Sequence, residues 1–313
     1  MVNFNKIEKT NFFKGLCEGA EECCRVNKGI KKNIVSMDRK TILDYFAKFI
    51  YKELGIVYGE EVYYQLETRL NNIVSQLDYP SLDDFYNQTI SGLPSSHLNK
   101  LLDIATNNET SFFRDEPVFT SLFEVFRAYF SDPGARFPYK IWCAASSTGQ
   151  EPYSVAILLE EVMELTGRGS FEMKATDISE KVLNYASDGV YTSMEVGRGL
   201  NENRLNRYFE SAGHHSSSDK WKIKDEIKSK VQFSKQNLLN NLSFSGPFDM
   251  ILCRNVLLYQ DIPHKKEIVE KMRSLMTQDG ILVLGGGENM LGVSDMYEPV
   301  VIAGSTFFQP AKY

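Results

Sequence analysis

The stretch that decides the fold is Lys140-Ile-Trp-Cys-Ala-Ala-Ser-Ser-Thr-Gly-Gln-Glu-Pro152, near the middle of the chain. Its first six residues form a mostly apolar run typical of a buried strand, and residues 151–165 continue with the spacing of a helix. The small residues between them, ending at Gly149, predict a tight turn that lets a ligand approach the backbone and the positive start of the helix. The alternative is a purely structural turn in which Ser147 or Thr148 caps the helix.

The same alternation of short apolar runs and helical patterns continues beyond this stretch. The predicted strands are residues 140–145, 171–176, 248–253 and 280–284, and the predicted helices that follow them are residues 151–165, 179–186 and 263–276. Strands that alternate with helices indicate βαβ units, so we expect an α/β fold with a mainly parallel sheet. Residues 300–309 are rich in Val, Ile, Phe and Thr and are expected to close one sheet edge with one or two antiparallel strands.

Other regions precede and interrupt this alternation. Residues 36–107 carry apolar residues at helical spacing and predict a helical domain, and residues 108–138 link it to the sheet domain at 139–313. Residues 1–35 are polar, with seven Lys and Arg against four Asp and Glu, and they predict an N-terminal extension. Short strand-like runs and a polar loop predict a small subdomain inserted at about 191–237.

The composition excludes several classes of function. With 35 Lys and Arg against 41 Asp and Glu, the formal net charge of -6 argues against a protein that coats nucleic acid. No apolar stretch reaches the length of a membrane span and the first residues lack an apolar signal core, so we expect a cytoplasmic protein without membrane insertion. The cysteines and histidines lack the spacing of a metal site, so we expect no bound metal and reduced thiols.

Polar residues at the ends of predicted strands are the candidates for a binding site, because ligands gather at the carboxyl ends of parallel strands. Asp177 follows the second strand, where a carboxylate either accepts hydrogen bonds from both ribose hydroxyls or only caps the next helix. Arg254 and Asn255 follow a later strand, and Arg254 is alternatively a structural ion-pair partner. The chain lacks G-x-G-x-x-G, a P-loop and a G-x-S-x-G elbow, so hydride transfer, phosphoryl transfer and a catalytic triad are not indicated.

Segments in this order resemble the motifs of the CheR-type chemotaxis receptor methyltransferases, over about residues 36–310. The motifs are Asn108-Glu109-Thr110-Ser111-Phe112-Phe113-Arg114, residues 142–154, Ala175-Thr176-Asp177-Ile178, Gln236-Asn237-Leu238-Leu239, residues 248–259 and Gly287-Glu288-Asn289. Six separated motifs in one order make the resemblance specific. It implies a class I S-adenosylmethionine-dependent methyltransferase fold, Rossmann-like with a mainly parallel sheet, together with an N-terminal helical domain and an inserted small β-subdomain.

The resemblance also implies an activity and a site. The activity is O-methylation of glutamate side chains on a chemotaxis receptor, which uses S-adenosylmethionine and gives glutamyl methyl esters and S-adenosylhomocysteine. The residues implied to bind the cofactor are Asn108, Thr110, Arg114, Glu151, Asp177, Asn237, Leu238, Asn255 and Val256. In catalysis we expect Arg114 to orient a carboxylate, either that of the incoming substrate or that of the cofactor, whereas Tyr259 either hydrogen-bonds near the methyl group or packs at a strand end. The implied partners are the cytoplasmic helices of methyl-accepting chemotaxis receptors.

Departures from the family pattern bear on the substrate. Members that bind receptor helices are expected to present a basic helical domain, but residues 36–110 hold six Lys and Arg against eleven Asp and Glu. Electrostatic steering toward an acidic receptor is then weak or unfavourable. Gln150 also replaces the first acid of the family's Gly-Glu-Glu-Pro, whereas Glu151 retains the second. A non-catalytic signalling module that binds S-adenosylmethionine is therefore the second hypothesis.

Overall fold

A computed structural model of the protein describes residues 37–213 and 220–312. The extension predicted at residues 1–35 and the polar loop that holds His214 and His215 lie outside this part of the chain. Among the helices that are described, none combines the length and the apolar character needed to cross a lipid bilayer.

Residues 37–107 form a helical bundle with its own core. Its helices are α1 (Arg39–Leu54), α2 (Tyr63–Gln76), α3 (Leu82–Ser91) and α4 (Ser95–Ala105), and a short 3-10 turn (Glu60–Val62) precedes α2. Apolar residues at helical spacing give each of the four helices a buried face. Phe46 of α1 stacks on Phe85 of α3 with ring centroids 5.3 Å apart. Ser81 caps α3 by accepting a hydrogen bond from the backbone N–H of Asp84 at 3.1 Å, which fixes where that helix begins.

A linker with two adjacent buried aromatic residues, Phe112 and Phe113, leads from the bundle into α5 (Glu116–Ser131). The ring of Phe112 meets the rings of Tyr191 and Phe209 edge-on, with centroids 5.0 and 5.5 Å apart. Such aromatic pairs bury a large apolar area and favour one geometry. The linker is therefore fixed in place immediately before Arg114.

A seven-stranded sheet forms the centre of the protein. Its strands are, in order across the sheet, β6 (Val231–Lys235), β2 (Phe171–Asp177), β1 (Tyr139–Ala144), β7 (Phe248–Cys253), β8 (Met276–Leu284), β10 (Ser305–Pro310) and β9 (Tyr297–Ile302). The strands from β6 to β8 are parallel, whereas β10 runs antiparallel to both of its neighbours. The accompanying long helices are α6 (Gln150–Thr166), α7 (Glu180–Asp188) and α11 (Ile262–Ser274). This arrangement confirms the predicted Rossmann-like α/β fold.

The central strand β1 is buried on both faces of the sheet. Cys143 lies in the core that includes α6, whereas Trp142 and Ala144 lie in the core on the opposite face. The buried indole N–H of Trp142 donates to the hydroxyl of Thr176 at 2.9 Å, which satisfies its only polar group. A strand that is buried on both sides reads as an unbroken apolar run, which is why this strand is recognisable in the sequence.

A second sheet of three antiparallel strands follows α7. Its strands, in order across the sheet, are β3 (Val190–Thr192), β5 (Lys220–Ile223) and β4 (Phe209–Ser211), and the short helices nearby are α8 (Ser193–Gly197), α9 (Glu202–Tyr208) and α10 (Asp225–Lys228). The insertion predicted at 191–237 extends too far, because Val231 of β6 pairs with Met173 of β2 in the main sheet. Residues 221–223 and 231–233 look alike because each alternates an apolar, a polar and an apolar residue, and only the tertiary pairing assigns them to different sheets.

Candidate functional site

One cleft lies at the carboxyl ends of β1, β2 and β7. Its walls include every residue for which the sequence implied a cofactor or catalytic role: Asn108, Thr110, Arg114, Glu151, Asp177, Asn237, Leu238, Asn255, Val256 and Tyr259. In an open parallel sheet, ligands bind in the crevice outside the carboxyl ends of the strands. The fold therefore brings these separated residues together at the edge of the sheet where a ligand is expected.

The turn between β1 and α6 is strained where it lines the cleft. Ala145 and Ser147 adopt positive φ angles of 55° and 49°, which residues with a side chain rarely adopt, and Gly149 has a φ of 93°. A Cβ atom built at Gly149 lies 2.8 Å from the Cβ of Ala186 and 3.0 Å from the hydroxyl of Tyr191. Glycine is required here both for its backbone angle and for the close approach of α7. Backbone strain that the surrounding fold maintains is typical of functional sites.

Asp177 ends β2 and is buried in the wall of the cleft. Its Oδ2 accepts a hydrogen bond from the backbone N–H of Ser147 at 2.9 Å, and its Oδ1 accepts one from the N–H of Ser179 at 3.0 Å. The cap of α7 is Ser179 rather than Asp177, because the Ser179 hydroxyl accepts the N–H of Val182. Burial raises the pKa of Asp177, and backbone hydrogen bonds from Ser179, Ser147 and Ile178 oppose that rise. A carboxylate offers about four acceptor positions, so not all of them are occupied by the backbone.

Arg254 at the end of β7 is an ion-pair partner of two carboxylates. Its Nη1 donates to Oε2 of Glu151 at 2.9 Å, and its Nη2 donates to Oδ2 of Asp115 at 2.7 Å and to the carbonyl of Arg114 at 2.9 Å. Of the two roles that the sequence left open for Arg254, the structure shows that of an ion-pair partner. Burial raises the pKa of Glu151, and the guanidinium of Arg254 opposes that rise. Glu151 thus presents a buried carboxylate to the cleft with one oxygen already paired.

Glu288, for which the sequence motifs implied no individual role, organises the loop after β7. Its Oε2 accepts the backbone N–H groups of Asn255 at 2.8 Å and Gly285 at 2.7 Å. Its Oε1 accepts those of Val256 at 2.9 Å and Leu258 at 3.1 Å. Four hydrogen bonds to one carboxylate fix a loop whose residue Asn255 has a positive φ of 59°. In the sequence, the feature that could have indicated this role is a carboxylate in the glycine-rich segment directly after β8.

The linker ties the helical bundle to the strained turn. The hydroxyl of Ser147 donates to the carbonyl of Asn108 at 2.8 Å. Arg114 donates from Nη1 to the carbonyl of Glu109 at 2.9 Å, which holds its guanidinium beside the cleft. A guanidinium has five N–H donors, so Arg114 keeps donors for a ligand.

Asn237 joins the end of α1 to the cleft. Its Nδ2 donates to the carbonyl of Glu53 at 2.7 Å, and its Oδ1 accepts the backbone N–H of Leu239 at 2.9 Å. Leu238 beside it packs against the core that contains Trp142. Cofactor binding by Asn237 and Leu238 stays a prediction. The hydrogen bonds of the Asn237 amide show that it also anchors the end of α1.

Three buried polar atoms of the cleft wall have no hydrogen-bond partner among the described residues. They are the hydroxyl of Ser146, Nε of Arg254 and the side-chain oxygen of Gln260. Each such atom costs roughly 1–3 kcal/mol when it stays unpaired, so together they indicate a polar ligand. With the carboxylates of Asp177 and Glu151, they suit a molecule that carries ribose hydroxyls, an amino group and a positive charge, as S-adenosylmethionine does. Within 37–213 and 220–312, no group of three or more His, Cys, Asp or Glu is arranged to hold a metal ion.

A Rossmann-like sheet with one antiparallel strand near its edge, and a cleft at the carboxyl ends of its strands with an acidic residue ending β2, are features of the class I S-adenosylmethionine-dependent methyltransferases. The family described as "CheR methyltransferase, SAM binding domain" matches residues 108–304. The chain belongs to the CheR methyltransferase family, and its cofactor is S-adenosylmethionine.

Relatives in several bacteria extend the similarity beyond the matched domain. A chemotaxis protein methyltransferase of Vibrio anguillarum is 37% identical over 257 residues, which cover 82% of this chain and 91% of the relative. The chemotaxis protein methyltransferase of Salmonella typhimurium is 31% identical, over 85% of this chain and 88% of the relative. That of Escherichia coli is 30% identical, over 85% of this chain and 89% of the relative. The similarity is therefore longer than the domain matched at residues 108–304.

Proposed function

We propose that the protein transfers a methyl group from S-adenosylmethionine to glutamate side chains of a chemotaxis receptor, giving glutamyl methyl esters and S-adenosylhomocysteine. Family membership supports the reaction and the general class of substrate. The observation that carries the proposal for this chain's own residues is the shared cleft, where Asp177 and Glu151 line the same space as Arg114 and Tyr259.

The residues proposed to hold the cofactor differ in the group of the cofactor that each one binds. Asp177 accepts hydrogen bonds from the ribose hydroxyls with its free lone pairs, and Glu151 accepts one from the amino group. The remaining cofactor-binding residues, which form the rest of the cleft wall, are Asn108, Thr110, Arg114, Asn237, Leu238, Asn255 and Val256. The bound cofactor supplies a methyl group on a positively charged sulfur. The carboxylates in the wall favour that charge, since opposite charges attract strongly in a buried site.

The protein needs to orient its substrate rather than activate it. A glutamate side chain has an ordinary pKa of about 4.3, so at neutral pH well over ~99% of it is already the nucleophilic carboxylate. No general base is required. Arg114 is proposed to hold the incoming carboxylate with its planar fork of donors, and Tyr259 is proposed to donate a second hydrogen bond. Correct placement of the reactants and exclusion of water then supply most of the rate enhancement.

The proposed partner surface consists of cytoplasmic helices of a methyl-accepting receptor. The helical region contains an excess of five acidic residues over basic ones between 36 and 110, so attraction between opposite charges does not drive docking of an acidic receptor. Association is then expected to depend on shape and apolar contacts. Raising the ionic strength should weaken it little or even strengthen it, because salt screens repulsion as well as attraction.

Methyl transfer from radiolabelled S-adenosylmethionine to a purified receptor fragment tests the proposal. Wild-type protein should label the fragment, and the label should be released by mild base as expected for a methyl ester. Arg114→Ala should lower kcat by about 100-fold, the scale of losing one donor to a reacting group, while the Kd for the cofactor rises by less than about tenfold. Arg136→Ala, on an exposed loop, is the matched control and should retain wild-type turnover.

A second candidate function makes a different prediction. The acidic helical region also favours a non-catalytic signalling module that binds S-adenosylmethionine. Weak electrostatic attraction between the protein and a receptor is no disadvantage for such a sensor. Tight calorimetric binding of the cofactor, with no labelling of any receptor fragment by wild-type or Arg114→Ala protein, would support the sensor and contradict the enzyme.

A further inference from the structure

The side chain of Asn107 is bonded to the side chain of Tyr259 across the cleft. Nδ2 of Asn107 donates to the phenolic oxygen of Tyr259 at 2.7 Å, although the residues are 152 positions apart. Asn107 lies two residues beyond the end of α4, and Tyr259 ends a short 3-10 turn (Leu257–Tyr259). Both residues line the cleft. The bond therefore links the helical bundle to the proposed catalytic tyrosine itself.

The orientation of the Asn107 amide follows from its second contact. Its Oδ1 faces the backbone N–H of Glu109, which donates to it at 3.4 Å, so the amide nitrogen faces Tyr259. The backbone of Tyr259 is also held, because its carbonyl accepts the N–H of Val57 at 3.1 Å and its N–H donates to the carbonyl of Val256 at 3.3 Å. The phenol ring is thus fixed at its backbone and at its oxygen.

We infer that Asn107 is a positioning residue that sets the direction of the Tyr259 hydroxyl proton. A phenol group accepts hydrogen bonds and donates one. Because the amide N–H of Asn107 occupies an acceptor position, the Tyr259 proton points away from Asn107 and is available inside the cleft. This inference rests on the proposed function, in which that proton is donated to the incoming carboxylate of the substrate.

In the proposed reaction Tyr259 must be the donor of the hydrogen bond, because a carboxylate only accepts. It donates to one oxygen of the substrate carboxylate and leaves the other oxygen free as the nucleophile. The new bond forms between that oxygen and the methyl carbon, the carbon–sulfur bond breaks, and its electron pair stays on sulfur. No proton is transferred, so the Tyr259 hydroxyl is the same before and after the reaction. Asn107 contributes by removing the need to reorient that hydroxyl as the substrate arrives.

Two substitutions at residue 107 test whether Asn107 orients the Tyr259 hydroxyl or only links the two segments. Asn107→Ala removes the donor and leaves the hydroxyl free to rotate. Asn107→Asp keeps the size and the link, but a carboxylate only accepts, so it takes the Tyr259 proton for itself. We expect kcat to fall about 3–10-fold for Asn107→Ala and on the order of 100-fold for Asn107→Asp. The Kd for S-adenosylmethionine and the unfolding temperature of Asn107→Asp should stay close to those of the wild type.

The same substitutions are then made in Tyr259→Phe protein, which has no hydroxyl to orient. The added loss from Asn107→Asp should disappear in that background, whereas a purely electrostatic effect of the new charge, or a purely structural one, would persist. The substrate in each assay is a receptor fragment that the wild-type protein methylates. Equal kcat for wild-type and Asn107→Asp protein, or an undiminished loss in the Tyr259→Phe background, overturns the inference and leaves the proposed function intact. A wild-type protein without turnover on any receptor fragment overturns both.

Discussion

Nη1 of Arg254 lies 2.9 Å from Oε2 of Glu151, and this ion pair forms behind the cleft wall with only 1% of the arginine side chain and 14% of the glutamate side chain exposed. The pair connects the end of β7 to the first turn of α6. Desolvation makes an isolated charge in such a place very costly, so each partner depends on the other. The pair therefore fixes the position of the Glu151 carboxyl at the cleft, and Arg254 opposes the rise that burial causes in its pKa.

Arg254→Met should lower the free energy of unfolding by about 3–5 kcal/mol, because it leaves Glu151 buried and unpaired. The double variant Arg254→Met with Glu151→Gln should recover part of that loss, since the stranded charge is gone. Urea unfolding measures both. Arg207→Met is the matched control: its pair with Glu164 is 2.7 Å long but more than half exposed on each side, and such surface pairs contribute at most about 1 kcal/mol. Equal losses from Arg254→Met and Arg207→Met would contradict the assignment.

The affinity for S-adenosylmethionine should fall as the pH is lowered, and Asp177 should be one cause. Burial raises the pKa of this carboxyl above the ordinary aspartate value of about 3.9, so it gains its proton at a higher pH than an exposed aspartate does. The ribose hydroxyls favour the charged form, so binding weakens as the pH drops through the raised pKa. Calorimetric titrations at a series of pH values measure the effect.

Variants assign this pH dependence to a residue. Asp177→Asn should weaken binding about 10–100-fold at neutral pH, as expected for the loss of hydrogen bonds to a charged acceptor, and should flatten the pH profile. Glu151 also has a pKa raised by burial, so Glu151→Gln should remove a separate part of the profile. Asp188→Asn, at an exposed position, serves as the control and should reproduce the wild-type curve. An unchanged profile in Asp177→Asn would rule out its role.

Glu288→Gln should loosen the loop that carries Asn255 and Val256. Each carboxylate oxygen accepts two of the four backbone N–H groups and the amide has one oxygen instead of two, so two of these N–H groups lose their acceptor and face an N–H group instead. We expect stability to fall by about 1–3 kcal/mol and the Kd for S-adenosylmethionine to rise about tenfold. Glu298→Gln, on an exposed strand position, is the matched change of the same type. If the two variants behave alike, Glu288 does not organise the loop.

Gly149→Ala should damage both stability and cofactor binding, and Gly167→Ala should isolate the reason. Both glycines have positive φ angles, of 93° and 69°, so each alanine suffers backbone strain. Only at Gly149 does the added methyl group meet neighbours, 2.8 Å from the Cβ of Ala186, whereas Gly167 faces open space. We expect Gly167→Ala to lower stability by about 1 kcal/mol without a change in binding, and Gly149→Ala to cost about 1–3 kcal/mol more and weaken binding. Thermal unfolding and calorimetry provide the comparison.

Patterns that repeat along the chain predicted much of the fold. The run at β1 is recognisable because it is buried on both faces of the sheet, and Asp177 stands out because a carboxylate directly follows a buried strand. The placement of β6 was not predictable in the same way. Its residue Val231 has the same local character as the strand at 220–223, and only pairing with a strand some 60 positions earlier determines its sheet.

The sequence motifs named residues that the fold brings to one cleft, but not the bonds among them, and that these residues bind the cofactor stays a prediction. The motifs named the residues of the cleft wall, whereas the pairing of Arg254 with Glu151 depends on three-dimensional distance. The role of Glu288 was hidden for another reason: its partners are backbone N–H groups, which every residue except proline has, so no residue type signals them. The bond from Asn107 to Tyr259 likewise joins two surfaces that meet only after folding.

The short backbone bridge between Ile56 and Gln260 lies where the helical bundle touches the sheet domain, and the N–H of Val57 donates to the carbonyl of Tyr259 beside it. A tilt of the bundle must therefore carry the tyrosine with it. If a receptor docks on the helical bundle as proposed, we therefore expect docking to alter the position of Tyr259 in the cleft.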